Sequence, residues 1–230
     1  VSAFESTISR QDWNSLECRV ERNTCRILDL FDVAGITATF FVLGWVAERY
    51  PQLVRKIATA GHEIASHGWS HVRATEQSAR EFSDDVSKTR AFLEDCSGQA
   101  VVGYRAASFS FSNVNPWTHE VLSRHGYKYS SSIYPVKHDL YGVPDASRFP
   151  YRPDDGDILE VPITTIRVGN RNFPCGGGGY FRLLPYFLSR PAIRRFNLVD
   201  EAPAVFYFHP WEIDAEQPRM NGITLKTRVR

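Results

Sequence analysis

Two histidines four residues apart are the residues of this sequence best suited to metal chemistry. His67 and His71 are the ends of the segment His-Gly-Trp-Ser-His, which follows a short predicted strand at 62–66. Imidazoles at this spacing can converge on one ion from a helical turn or a tight loop, and His is the commonest ligand of a catalytic divalent metal. Ordinary loop histidines are the alternative, but the position after a strand favours a metal site.

Two further side chains with catalytic potential follow other predicted strands. Arg105 comes directly after 101–104, and His209 comes directly after 204–208. A guanidinium in such a place can hold a carboxylate through two hydrogen bonds, and an imidazole can act as a general acid or base. The alternatives are a surface arginine and a histidine that only caps its strand.

Aromatic residues beside these histidines are candidates for binding sugar rings. Trp69 lies between His67 and His71, and Trp211 lies two residues after His209. Aromatic faces suit the apolar faces of sugar rings, although most large aromatic side chains belong to the core. The glycine run 176–179 lacks the Lys-Ser/Thr that follows in a phosphate-binding loop, so we interpret it as a flexible turn.

The elements that must position these residues alternate between helix-like and strand-like patterns. Apolar residues at helical spacing predict helices at 19–35, 51–60, 75–95 and 116–125. The third of these is predicted to turn Phe82, Val86, Ala91 and Leu93 towards the core. Runs of β-branched and aromatic residues predict strands at 37–43, 62–66, 101–104, 127–129, 158–161 and 204–208. Two stretches rich in Pro, Gly and Asp, 135–157 and 169–179, are predicted to be surface loops.

This alternation predicts the fold class. Strands and helices in strict succession indicate parallel strands joined by crossover helices, hence an α/β barrel or open sheet. The chemistry of such folds lies at the carboxyl ends of the strands. The 230 residues show no repeat, low-complexity tract or linker, so we predict one domain over residues 1–230.

The composition of the chain argues against two classes of protein, those that bind nucleic acids and those that span membranes. Lys and Arg number 27 against 26 Asp and Glu, and no basic run stands out, which argues against a nucleic-acid partner. No apolar run approaches the ~18 residues of a membrane span, so the chain is expected to be soluble. It begins with Val1, and its one methionine is Met220. We therefore expect further sequence upstream, including any targeting signal, so the compartment stays open between bacterial cytoplasm and periplasm.

Five segments, taken in order, resemble those of a known family. They are TATFFVLG (37–44), GHEIASHGWSH (61–71), GYRAASFS (103–110), SSSIYP (130–135) and VFYFHPWEID (205–214). The chain resembles the NodB-homology polysaccharide deacetylases, carbohydrate esterase family 4, and within them the subgroup associated with bacterial exopolysaccharide synthesis. The resemblance runs in register over nearly the whole chain and implies an α/β fold, a distorted, incomplete (β/α) barrel.

The resemblance also implies roles for individual residues. His67 and His71 match the two metal-binding histidines, and the implied cofactor is one divalent ion, Zn²⁺ by preference. Arg105 matches the arginine that holds the catalytic base, and His209 matches the general acid.

The resemblance implies substrate contacts as well. Phe208 would line the pocket for the acetyl methyl group, and the backbone N–H near Ala107–Ser108 would stabilise the oxyanion. With these, Trp69 and Trp211 complete the predicted substrate-binding residues.

Three departures from the family pattern concern the same site. The aspartate cluster that supplies the base and the third metal ligand is expected upstream of Val1, so the predicted domain lacks its first strand and motif. Ala107 stands where the family usually has Pro, and Ser130 stands where the subgroup usually has Asp.

The predicted function is metal-dependent hydrolysis of N-acetyl groups on the amino sugars of a bacterial exopolysaccharide. The expected partner is an N-acetylated polysaccharide or oligosaccharide, with no nucleic acid and no membrane span. Two alternatives stay open: a catalytically silent carbohydrate-binding protein on the same fold, and a hydrolase of small amides on the same barrel.

Overall fold

The computed structural model of the chain describes residues 8–138 and 141–218. The described residues form two compact units: one lies within Thr37–Tyr207, and the other comprises the described parts of Val1–Ile36 and Phe208–Arg230. We call them the sheet unit and the terminal unit. None of the helices in the described ranges is long and apolar enough to traverse a lipid bilayer.

A five-stranded parallel sheet is the centre of the sheet unit. Its strands are β1 (Thr39–Val42), β2 (Glu63–Ser66), β3 (Gly103–Tyr104), β4 (Tyr129–Ser130) and β5 (Leu159–Glu160). Each strand pairs in parallel with the next one along the chain. Such an order requires every crossover to run in the same direction, as in part of a (β/α) barrel. The predicted α/β fold with an incomplete barrel is confirmed.

Helices connect most of these strands. Between β1 and β2 lie α2 (Gly44–Arg49) and α3 (Pro51–Thr59); between β2 and β3 lies α4 (Ala79–Ser97), and between β3 and β4 lies α5 (Thr118–Arg124). The described part of the β4–β5 connection contains only the 3-10 turn Pro153–Asp155. Helices were predicted close to α3, α4 and α5, and these predictions are confirmed.

Helix α4 shows how local sequence defines its ends and its buried face. The Ser78 backbone N–H donates to the Glu81 carboxylate at 2.8 Å, and the Glu81 N–H donates to the Ser78 hydroxyl at 3.3 Å. This reciprocal pair satisfies two N–H groups at the helix start. Gly98, with φ 69°, ends the helix in the left-handed conformation. Phe82, Val86 and Leu93 are fully buried, each worth about 1.5–3 kcal/mol.

One predicted core residue of α4 is exposed. The buried stripe of the helix comprises Phe82, Val86, Thr89, Leu93 and Cys96. Ala91 is exposed because a step of two residues, from 89 to 91, rotates about 200° around the helix axis. The prediction that Ala91 faces the core was therefore wrong.

The last part of the sheet unit contains structure that the sequence did not reveal. An antiparallel hairpin joins β6 (Thr165–Val168) to β7 (Arg171–Pro174). Helices α6 (Gly178–Leu183) and α7 (Tyr186–Val199) follow. The predicted loop at 169–179 was wrong in part, since it contains β7 and the start of α6.

The segment 204–208 does not form the predicted buried strand. Tyr207 makes one isolated parallel bridge with Gly177, and the side chain of Phe206 is 41% exposed. The Tyr207 N–H donates to the Gly176 carbonyl at 2.8 Å, and the Val205 N–H donates to the Thr164 hydroxyl at 2.6 Å. The segment's backbone bonds thus go to loops and a side chain instead of a continuous ladder.

The terminal unit is built on α1 (Val20–Ala34), which agrees with the predicted helix at 19–35. Gly35, with φ 62°, ends the helix in the left-handed conformation. The same unit contains the 3-10 turns Arg10–Asn14 and Pro210–Ile213. A single domain over residues 1–230 stays a prediction.

Candidate active site

A row of paired residues places His67 and Arg105 along one edge of the sheet. The last residues of the five strands are in register: Val42, Ser66, Tyr104, Ser130 and Glu160. The ladder continues one residue further, because His67 donates its N–H to Val42, Arg105 to Ser66 and Ser131 to Tyr104 at 2.9–3.0 Å. His67, Arg105 and Ser131 are therefore neighbours at the carboxyl edge.

Side chains of these two rows point to opposite faces of the sheet. Tyr104 is buried and packs edge-to-face on Phe82 of α4, with ring centroids 5.6 Å apart. Because successive side chains alternate along a strand, Arg105 leaves the sheet on the face away from the helices. Of the predicted functional side chains, those of His67 and Arg105 thus lie on the inner face of the incomplete barrel.

The two predicted metal ligands lie side by side. The ring centroids of His67 and His71 are 5.1 Å apart, with 74° between the ring planes. Gly68 (φ 72°) and His71 (φ 55°) are both left-handed, which turns the loop sharply enough to bring the second ring back to the first. His71 is 7% exposed, whereas His67 is half-buried.

A hydrogen bond sets the tautomer of His67. Its Nδ1 lies 2.7 Å from the backbone carbonyl oxygen of Arg105. Since a carbonyl oxygen can only accept, Nδ1 donates, and Nε2 is the nitrogen with a lone pair for a metal. Histidine ligands of metal sites characteristically donate their second ring nitrogen to a carbonyl or carboxylate in this way.

Arg105 is held by a hydroxyl, a carbonyl and three aromatic rings. Its Nε donates to the Ser131 carbonyl at 2.9 Å and its terminal nitrogen donates to the Ser131 hydroxyl at 2.7 Å. The guanidinium carbon lies 4.1 Å from the ring centroid of Phe41, 5.7 Å from Phe109 and 5.6 Å from Tyr207. Burial lowers the pKa of Arg105 to about 10, so it stays charged at neutral pH. Within the described residues no carboxylate forms an ion pair with it.

A buried carboxylate that sequence reasoning missed organises the neighbouring loop. Glu160 is 0% exposed, and its Oε1 accepts the backbone N–H of Ser132 at 2.7 Å and of Ile133 at 2.8 Å. Its Oε2 lies 3.0 Å from Nε2 of His119 on α5. Glu160 thereby fixes the turn that follows Ser131, the residue that holds Arg105. Only a Glu inside an apolar strand pattern could have drawn attention to it.

Ser130 stands where the resemblance described above led us to expect Asp. It is fully buried, donates its hydroxyl to Ser132 at 2.7 Å, and is the register partner of Glu160. The carboxylate absent at position 130 is thus matched by one on the adjacent strand.

The loop after β3 is conformationally strained. Ser108 (φ 54°) and Phe109 (φ 50°) are both left-handed, a conformation that costs roughly 1–3 kcal/mol per residue and clusters at functional sites. The Ser132 hydroxyl accepts the Ala106 N–H at 2.9 Å and helps to hold the loop. This is the loop whose backbone is predicted to stabilise an oxyanion.

Trp69 makes close contacts on the outer side of the histidine loop. Its backbone N–H donates to the carboxylate of Asp85 on α4 at 2.9 Å, and its ring lies edge-to-face with that of Phe92, with ring centroids 5.5 Å apart. The Lys88 ammonium lies 3.3 Å above the ring centroid. A Cβ at Gly44 would come within 2.3 Å of the ring, so Trp69 also anchors α2. Burial raises the pKa of Asp85 above its usual range.

The remaining predicted residues lie in the terminal unit. His209 precedes the turn Pro210–Ile213, and its Nδ1 lies 2.7 Å from the Glu212 carboxylate. A carboxylate only accepts, so Nδ1 donates and Nε2 is the nitrogen available for proton transfer. Trp211 stacks on His209 at 5.5 Å, and Phe208 packs edge-to-face on Phe31 of α1 at 6.3 Å.

The donor set fits a divalent metal in part. Two adjacent imidazoles, one oriented by a carbonyl, are the arrangement that Zn²⁺ and similar ions use. Among the described residues no cluster of three or more His, Cys, Asp or Glu surrounds them. A third protein ligand, predicted to be an upstream Asp, is not among the described residues.

Family models divide the chain into two parts. Residues 13–130 match the polysaccharide deacetylase model, and residues 131–230 match a domain of unknown function, DUF3473. The first match covers His67, His71 and Arg105; the second covers Glu160 and His209.

Similar curated proteins cover the same first part. A peptidoglycan deacetylase of Helicobacter pylori is 35% identical over 47% of this chain, and a peptidoglycan-N-acetylglucosamine deacetylase of Bacillus cereus is 36% identical over 34% of it. The matches span 36% and 28% of those relatives, so the chain covers about a third of their length.

Solved structures share the fold. A structure from Mycobacterium smegmatis assigned to the polysaccharide deacetylases superposes with a TM-score of 0.60 at 24% identity, over 91% of this chain and 70% of that one. A CE4 family pseudoenzyme of Bacillus anthracis gives a TM-score of 0.51 at 16% identity, over 83% of this chain and 51% of that one.

Proposed function

The chain belongs to the polysaccharide deacetylase family, and we propose that it is a metal-dependent hydrolase that removes N-acetyl groups from amino sugars of a bacterial exopolysaccharide. The observation that carries the proposal is the adjacent pair His67 and His71 with its carbonyl-oriented tautomer. Families of this type are generally metal-dependent, in keeping with that donor set.

His67 and His71 would hold the ion, Zn²⁺ by preference. When bound, such an ion lowers the pKa of a coordinated water to about 7 and polarises the acetyl carbonyl. In the neutral ring, the hydrogen bond from Nδ1 of His67 to the Arg105 carbonyl leaves Nε2 as the nitrogen with a lone pair for the ion. The Arg105 side chain remains charged and would orient the carboxylate that accepts the proton of the attacking water.

His209 would supply the second proton transfer. The Glu212 carboxylate fixes its Nδ1–H, so Nε2 can carry a proton to the departing amine and contribute roughly 10²–10⁴-fold in rate. The left-handed turn at Ser108 would present a backbone N–H to the developing oxyanion. Phe208 and Trp211 are the proposed contacts for the acetyl group and the sugar ring. The products are acetate and a free amine, which makes the glycan cationic.

Acetate release tests the proposal. The full-length protein, loaded with Zn²⁺, is expected to release acetate from N-acetylated amino-sugar oligomers, and chitooligosaccharides, exopolysaccharide and peptidoglycan fragments would rank its substrates. His67→Ala is expected to lose bound metal and to lower kcat/KM at least about 100-fold, whereas His209→Ala is expected to keep the metal and lose kcat.

His125→Ala is the matched control, because this half-buried histidine bonds to Ser83 on the helix side of the fold. Glycan binding without acetate release by the metal-loaded protein would overturn the hydrolase proposal in favour of a carbohydrate-binding role. Activity confined to small amides would overturn the polymer assignment.

A further inference from the structure

One stretch of the sheet unit has a charge unlike the rest of the chain. Residues 161–199 contain six arginines and no Asp, Glu, Lys or His. The formal net charge of this stretch is therefore +6. Because the whole chain has a formal net charge of only +1, the remainder carries −5. All six are exposed: Arg167, Arg171, Arg182, Arg190, Arg194 and Arg195.

The same stretch exposes large apolar side chains at the turn between α6 and α7. Phe187 is 71% exposed, Tyr186 63% and Leu183 55%. Leu184 and Leu188 are exposed as well, and so are Leu198 and Val199 at the other end of α7. Single exposed apolar residues are ordinary, but several together at one turn mark an interaction surface. We call these residues, with the six arginines, the arginine-apolar surface.

A groove extends this surface between the hairpin and the two helices. It has a volume of about 560 Å³. Its apolar lining includes Ile166, Val168, Phe173, Phe181, Leu184 and Leu188. The groove can therefore receive an apolar chain beside the exposed turn.

We propose that the arginine-apolar surface docks on an anionic lipid bilayer. Aromatic and aliphatic side chains at the turn would enter the interface, and the arginines around them would meet acidic headgroups. Tyr186 has the amphipathic ring typical of membrane–water interfaces.

Charge and apolarity together favour a bilayer over other partners. A second copy would bring arginine against arginine with no acid on this stretch to compensate. A soluble anionic polymer would pair with the arginines but would leave Leu183 and Phe187 in water. An anionic bilayer pairs the arginines with acidic headgroups and also buries the apolar side chains. The proposal is independent of the deacetylase site.

Co-sedimentation with vesicles tests the proposal. The full chain is expected to bind phosphatidylcholine vesicles containing one-third phosphatidylglycerol at least tenfold more tightly than pure phosphatidylcholine vesicles, with weaker binding at high salt. The variant Leu183→Ser/Tyr186→Ser/Phe187→Ser and the variant Arg190→Glu/Arg194→Glu are each expected to lose at least tenfold in this binding.

Matched controls separate this surface from general effects of polarity and charge. Leu30→Ser/Val33→Ser/Val114→Ser changes three exposed apolar residues elsewhere, and Arg26→Glu/Arg80→Glu makes the same charge change on other helices. Both controls are expected to bind like the wild type, and circular dichroism would verify that all variants fold. Acetate release from a soluble oligosaccharide is expected to be unchanged in the surface variants.

Several outcomes would overturn the proposal. One is a wild-type chain that binds neither vesicle, or binds both equally. Another is a dimer that the triple serine variant dissociates, which would assign the surface to a second copy. A third is a soluble polyanion that displaces the protein from vesicles and still binds the triple serine variant. That result would assign the arginine-apolar surface to an anionic polymer.

Discussion

At the residue scale, the buried carboxylate of Glu160 supports the candidate site from the strand next to Ser130. Its two oxygens accept from Ser132, Ile133 and His119 inside the protein. A buried carboxylate is costly unless every lone pair direction is used, and here the bonds hold the turn beside Ser131. Its contribution is to position Arg105 through Ser131 rather than to touch substrate.

We expect Glu160→Gln to lower the free energy of unfolding by about 1–3 kcal/mol, because a neutral amide accepts more weakly and sets an N–H donor against His119. Urea unfolding measures the change. Glu120→Gln is the control, since this exposed residue forms a surface ion pair with Arg124, and the variant should lose no more than about 0.5 kcal/mol. Equal losses in the two variants would contradict the positioning role.

At the element scale, Asp214 connects the turn after His209 to α1. Its carboxylate accepts from Asn23 at 3.1 Å, from Arg19 at 3.3 Å and from Arg22 at 3.2 Å. The hydrogen bond from Asn23, aided by the Glu216 N–H and the two arginines, lowers the pKa of Asp214 to about 2. A lowered carboxyl pKa means that the folded state favours the charged form.

Asp214→Asn should therefore destabilise the protein in a pH-dependent way. The stabilisation is fully present above the unfolded pKa of 3.8 and is lost as the pH falls through about 2. Urea unfolding followed by circular dichroism should show a clear deficit at about pH 5 that shrinks towards about pH 2.5. Asp29→Asn is the control, because it makes the same change at an exposed position of α1; its effect on stability should not follow this pH dependence. A deficit that is constant with pH would refute this account.

Helices and strands were predicted correctly where the local sequence pattern is sufficient to define them. The predictions failed where an element depends on contacts with residues distant in the chain. Gly35 and Gly98 end α1 and α4, and both helices were predicted from the spacing of their apolar residues. Helix α7 was missed because Pro191 interrupts it and its apolar residues are mostly exposed. The strand at 204–208 was predicted from composition, but a strand also needs a continuous ladder with a neighbouring strand, and Tyr207 forms an isolated bridge with Gly177 instead.

At the scale of the whole molecule, metal binding should stabilise the folded chain. An ion that binds the folded state alone adds about 2.7 kcal/mol at 100 times its Kd. Thermal unfolding of the full-length protein with and without Zn²⁺ measures this. His67→Ala should abolish the increase and His125→Ala should retain it; an increase that survives in His67→Ala would place the ion elsewhere.

The sequence by itself determined the succession of strands and helices, the adjacency of His67 and His71 on one loop, and the likeness to a deacetylase family. These follow from local periodicity and spacing, which depend on residues close in the chain. Only the tertiary structure decided that the Arg105 carbonyl orients His67, that Glu160 supports the turn beside Ser131, and that the apolar residues at the turn between α6 and α7 are exposed. Those contacts join residues distant in the chain, and their partners are set by strand register and packing.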